Sequence, residues 1–194
     1  NDLVISAAGR AFWILDDISA LQQSKGNFAG LQVFTPKPTY KYEGYTPSWM
    51  DVPPGIGKNP MPGVILDYYL PEAADSLEVK LEILDASGKV IRTYSSIKDE
   101  EFKPFPGGPA PAQVIPAKKG INRFAWDFRG ETLLAIPNAF VYGDYSGHRR
   151  APGKYKARLT FKGAVAEAEI DLRQDPNLKN ISAQDWAAQQ ALLE

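Results

Sequence analysis

Ile121-Asn122-Arg123-Phe124-Ala125-Trp126-Asp127-Phe128 is the stretch on which the fold turns. Its large aromatics Phe124, Trp126 and Phe128 fall on alternate positions, so an extended chain sets all three on one face. That face must be covered. Further on, Tyr155, Ala157, Leu159 and Phe161 alternate with Lys154, Lys156, Arg158, Thr160 and Lys162, which gives a strand with one dry and one wet face. The chain turns at Gly163 and returns through Ala166, Ala168, Ile170 and Leu172, with Glu167, Glu169 and Asp171 pointing outward. Those acids lie opposite the basic side chains of the first strand, in cross-strand pairs worth about 0.2–1 kcal/mol each. Strands that are apolar on one side need a second layer, so the pattern predicts a β-sandwich.

Outward from this hairpin the same period recurs. Leu77, Val79, Leu81 and Ile83 alternate with Glu78, Lys80 and Glu82, and Ala86-Ser87-Gly88 turns the chain into a partner strand over Lys89 to Ser95. Val64 to Leu70 is apolar almost throughout and stops at Pro71. Leu31 to Thr35 reads as a strand that stops at Pro36, after which residues to Tyr42 continue extended. About seven to nine strands with long connections fit an all-β sandwich of the immunoglobulin or fibronectin type III kind, without the cysteine pair of antibody domains.

The connections are rich in proline and aromatics. Glu43 to Gly63 holds five prolines and four glycines around Tyr45, Trp49 and Met50. Glu100 to Ala117 has prolines at 104, 106, 109, 111 and 116, and Gly130 to Pro152 carries Phe140, Tyr142, Tyr145 and His148. Long loops of this kind often carry function. At the far end, Ser182 with Asp185 three residues on marks a helix start near Ala183, with Ile181 and Trp186 at the positions of a hydrophobic staple.

Composition narrows the function classes. Twenty-two basic residues against 23 acidic ones, net charge −1, leave no electrostatic footprint for nucleic acid. No apolar run approaches the roughly 20 residues of a membrane span, and the N-terminus lacks the order of a signal peptide. The absence of cysteine removes disulfides, zinc-thiolate sites and thiol nucleophiles together. A hydrophobic fraction of 44% over 194 residues is enough for a real core. The opening Asn1 suggests a processed protein or an excised fragment.

The N-terminal residues stand apart. Leu3 to Ala7 and Ala11 to Leu15 read as two short strands joined by a turn at Gly9, and Ile18 to Gln23 as one helical turn. An isolated hairpin is marginal in water, so this one is expected to pair with something else.

Several segments resemble a known family. From Asp2 through Gly9-Arg10 and Phe12-Trp13-Ile14-Leu15-Asp16-Asp17, the chain resembles the closing blade of secreted bacterial β-propellers of the BNR-repeat or sortilin-like glycosyl hydrolase kind. The likeness continues through Asn59-Pro60 to Asp67-Tyr68-Tyr69-Leu70-Pro71, Leu81 to Asp85, Gly120 to Asp127 and Ala151-Pro152-Gly153-Lys154-Tyr155. Departures cluster in the loops of 98–116 and 130–150. The resemblance implies that residues 1–23 are the remnant hairpin of a preceding propeller and 24–63 a linker with a long aromatic loop. It implies further an immunoglobulin-like domain over 64–175 and a helical extension over 176–194. It also implies a secreted, periplasmic or cell-surface location, with the upstream propeller as partner, and maps no catalytic residue onto this chain.

Asp16 and Asp17 are adjacent carboxylates, but neighbours on a strand point to opposite faces, so a turn-capping or blade-closing role is plainer than a glycosidase pair. Asp127 reads as a partner for Arg123 or Arg129. His148 lies beside Arg149 and Arg150, which could grip a carboxylate or sulfate, yet a single histidine makes neither a metal site nor a triad, and a solvated surface loop is the plainer reading of all three. Among the aromatics Tyr40, Tyr42, Tyr45, Trp49, Tyr142 and Tyr145, rings that stack on sugars would form a binding platform, and rings that pack would pin loops. The ligand-binding candidates are Tyr45, Trp49, Tyr142, Tyr145 and His148, with no cofactor or metal. The expected function is a non-catalytic accessory domain. The alternatives are a carbohydrate-binding module and a glycosidase fragment.

Overall fold

The computed structural model describes residues 2–9, 11–42 and 61–194. The chain is mostly β-sheet, with 36% of residues in strands, and its helices are few. The elements are β1 (Leu3–Ser6), β2 (Phe12–Leu15), α1 (Ser19–Ser24), β3 (Gln32–Val33), β4 (Thr39–Lys41), β5 (Val64–Leu70), β6 (Val79–Leu84), β7 (Val90–Ser95), β8 (Gly120–Trp126), β9 (Gly153–Phe161), β10 (Ala164–Gln174) and α2 (Ala183–Leu193). One sheet runs β4-β10-β9-β6-β7, a second runs β3-β5-β8, and β1 pairs with β2 in a sheet of two. All pairs are antiparallel except β4, which runs parallel to β10.

The two larger sheets share one core. Val64, Leu66, Tyr68 and Leu70 of β5 and Phe124 and Trp126 of β8 bury with Val79, Leu81 and Ile83 of β6, Tyr155, Ala157, Leu159 and Phe161 of β9, and Ile170 and Leu172 of β10. Aromatic edges cross between the layers: Tyr94 meets Phe124 at 4.6 Å and Trp126 meets Tyr155 at 5.3 Å between centroids. The outward faces of β9 and β10 carry the expected charge pairs, with Lys154 to Asp171 at 3.0 Å and Arg158 to Glu167 at 2.7 Å.

Three aromatic tips pin the long connections. Each buried polar tip needs a partner, and each finds a loop carbonyl. Tyr68 donates its hydroxyl to Pro116 O, Trp126 Nε1 donates to Arg129 O at 2.8 Å, and Tyr155 donates to Ala151 O at 2.6 Å. The loops in turn cover the edge of β7: Thr93 N donates to the Glu131 carboxylate at 2.7 Å and Ile115 N to Ser95 O at 3.0 Å. A covered edge does not recruit other strands.

Two strands are shorter than their sequence pattern. β3 stops at Val33 because Gln23 of α1 takes both backbone groups of Thr35, donating to its carbonyl and accepting from its N–H, each at 2.9 Å. β8 ends at Trp126, and Phe128 reaches the core from a left-handed backbone at φ 65°, not as the next step of a strand. Asp127 pairs with Arg129 at 3.8 Å, while Arg123 is taken by Asp67. Neither helix is long and apolar enough to cross a membrane.

Candidate functional site

The sequence-derived binding residues do not form one platform among the described residues. Tyr45 and Trp49 lie outside them. Tyr142 is 98% exposed, on a loop whose Leu134, Ile136 and Phe140 are exposed as well. Tyr145, three residues on, is 9% exposed, and its hydroxyl has no hydrogen-bond partner among the described residues. The loop reverses there because Leu133 N donates to Tyr145 O at 2.7 Å and Gly147 passes against Gly130 and Glu131, where a Cβ would stand 2.2 Å from the Glu131 carbonyl. Only glycine fits that approach.

His148 belongs to a different neighbourhood, beneath α2. The capping box of Ser182 and Asp185 starts this helix, with Asp185 N donating to Ser182 Oγ at 3.2 Å and Ser182 N to Asp185 Oδ2 at 2.7 Å. The helix then lies against the end of the five-stranded sheet. Trp186 Nε1 donates to Gln174 Oε1 at 2.7 Å, and Lys41 Nζ sits 4.3 Å from the centre of the Trp186 ring. Gln190 reaches His148 at 2.5 Å, and Arg150 meets Glu194 at 2.5 Å. Burial, with Arg150 beside it, pulls the His148 imidazole below its ordinary value, and Glu194 only partly offsets this.

Between α2 and the sheet lies a cavity of about 420 Å³ lined by Lys41, Arg149, Asp175, Trp186, Gln189 and two leucines. Its size is in the range of small-molecule sites, and its polar groups of both signs converge on an aromatic wall. Sequence reasoning placed Arg149 near an anion and Trp186 in a helix start, but not together. They come from segments joined only by tertiary packing, so no local signal pairs them. Among the described residues no three histidine, aspartate or glutamate side chains gather as metal ligands.

The N-terminal hairpin is the second feature. Its register pairs Leu3 with Leu15, Val4 with Ile14, Ile5 with Trp13 and Ser6 with Phe12. Seven large apolar side chains are exposed across its two faces, Phe12 at 74% and Trp13 at 65%. Its foot, by contrast, is fastened. Asp17 N donates to the Asp2 carboxylate at 3.0 Å, Lys37 Nζ lies 3.1 Å from Asp17, and Arg123 donates to Asp17 O at 3.2 Å. Partial burial pushes the Asp17 carboxyl up, but hydrogen bonds from Ser19 and Lys37 outweigh it and hold the group below the usual range. Asp17 is therefore a turn anchor at the hairpin foot. Compared with known family models, curated proteins and solved structures, the chain matches none of them.

Proposed function

We propose that this chain is a non-catalytic accessory domain, an immunoglobulin-like β-sandwich that positions or stabilises an upstream β-propeller in a secreted, hydrolytic parent protein. The observation that carries this reading is the hairpin of β1 and β2. A pair of strands apolar on both faces is the composition of strands buried inside a larger sheet assembly, because a strand with one wet face alternates instead. Seven exposed apolar side chains on a hairpin with a fixed foot therefore call for a covering sheet. The resemblance of Phe12-Trp13-Ile14-Leu15-Asp16-Asp17 to a closing propeller blade supports reading that sheet as part of a propeller.

Hydrogen exchange tests the proposal. Joined to the proposed upstream propeller, amides of Leu3–Ser6 and Phe12–Leu15 are expected to exchange slowly, as interior strands do; in residues 1–194 alone they are expected to exchange fast. Fast exchange in both would sink it.

A second reading, a carbohydrate-binding module, has one observation in its favour: the fully presented Tyr142 ring, with Phe140 exposed beside it. Retardation on polysaccharide affinity gels, lost in Tyr142→Ala with the fold intact, would replace the first reading with this one. Tyr145 and His148 would contribute to such a platform only through the loop they hold, since one is buried and the other is engaged by Gln190.

A further inference from the structure

Helix α2 is attached without burying a single residue of its own. Its hold on the sheet is polar: Trp186 on Gln174, Glu194 on Arg150, and Gln190 on both Ala151 and His148. The last pair fixes the state of the imidazole. The Ala151 N–H can only donate, so the Gln190 carbonyl oxygen must face it, at 3.1 Å, which turns the amide NH2 toward His148. His148 Nε2, 2.5 Å away, must then accept, and the ring is neutral with its proton on Nδ1. A protonated ring would set one N–H against another.

We propose that His148 is an acid-sensitive catch that releases helix α2 from the β-structure when its imidazole takes up a proton. Among the described residues three charged groups act on the ring. Arg150 from the same loop and Lys41 from β4 oppose a further positive charge, while Glu194 of the helix favours it, as does the carbonyl end of α2. Burial and Arg150 prevail, so the docked imidazole titrates below its ordinary 6.5. The released state therefore binds the proton more readily than the docked one. Docking is fully present above pH 6.5 and is lost as pH falls through the docked value. Trp186, Gln189 and Leu193 leave with the helix, so the cavity they share with Lys41 and Arg149 exists only while the catch is closed.

His148 is the only histidine, so one imidazole signal in a proton NMR titration reports it without assignment. The midpoint in the folded chain is expected below 6.5; a midpoint at or above that value overturns the proposal. Hydrogen exchange of residues 183–193, corrected for intrinsic rates, gives the second arm. Protection is expected to fall between pH 7.5 and pH 5 by about tenfold for each unit separating the docked and released midpoints. His148→Gln keeps an acceptor for Gln190 but cannot titrate, and its helix should stay protected over the same range. Equal loss in the variant and the native chain overturns the proposal. So does a loss centred in the carboxylate range near about pH 4, which would assign the release to Glu194.

Discussion

Trp126 and Trp13 both sit on antiparallel strands among other large apolar residues, yet one is sealed and the other is 65% exposed. Hydrogen bonding between strands does not separate them, because each strand has a partner in register. The difference is the second layer. Trp126 faces the five-stranded sheet, where Tyr155 of β9 meets its ring; Phe128, just past the end of β8, packs on it as well, and its indole N–H is satisfied by Arg129. Trp13 faces no other sheet among the described residues. Strand pairing organises backbone, but only a covering layer removes apolar area from water, at about 25 cal/mol per Å².

The largest effect expected from this contrast is at Trp126. Trp126→Ala empties a fully buried site between the layers and should cost about 3–5 kcal/mol in chemical denaturation, enough to leave the domain marginal. A loss under about 1 kcal/mol would mean that the two sheets do not close on this ring.

Next in size is the polar clamp joining the hairpin foot to the three-stranded sheet. Arg123 grips Asp67 through two bonds, at 2.8 and 2.9 Å, and Asp67 is buried. Arg123→Ala strands that carboxylate and removes the donor to Asp17 O, for an expected loss of about 2–3 kcal/mol. Asp67→Asn with Arg123→Gln, which leaves no buried charge, should recover much of it. A double variant as unstable as Arg123→Ala would assign the cost to packing of the arginine stem instead. Tyr68→Phe should cost less, about 1–2 kcal/mol, by leaving the Pro116 carbonyl without its donor. Its readout includes faster proteolysis within the connection that Tyr68 pins, residues 96–119.

The same contrast explains what was legible in the sequence. Alternation at Tyr155, Ala157, Leu159 and Phe161 against lysine and arginine set strand, face and register at once, because a one-residue slip would bury the charges. The capping box at Ser182 and Asp185 was equally plain, being local. The end of β3 was not legible: a glutamine side chain twelve residues away took over the bonds of Thr35. Nor was the α2 cleft, since Lys41, Arg149 and Trp186 meet only through tertiary packing. Among the proposed binding residues, closeness in sequence does not fix which way a ring points. Tyr142 and Tyr145 are neighbours in the loop, yet Gly147 and the Leu133 bond turn one outward and the other inward.

The smallest effect falls on the hairpin itself, and it is the sharpest comparison. Trp13→Ser should change the stability of the isolated chain by no more than about 0.5 kcal/mol, because the ring touches water rather than the shared core. The same substitution should raise solubility, since the exposed strand pair combines high β-propensity with an apolar surface and has no third strand on either edge among the described residues. In a protein that carries the proposed propeller upstream of the hairpin, the sign of the comparison reverses. With a covering sheet in place Trp13 becomes an interior residue, and its loss should then approach the 3–5 kcal/mol scale expected for Trp126. Equal, small effects in both settings would show that nothing covers the hairpin. A large effect already in residues 1–194 would show that it packs within this chain, and either result would remove the reason for placing a propeller upstream.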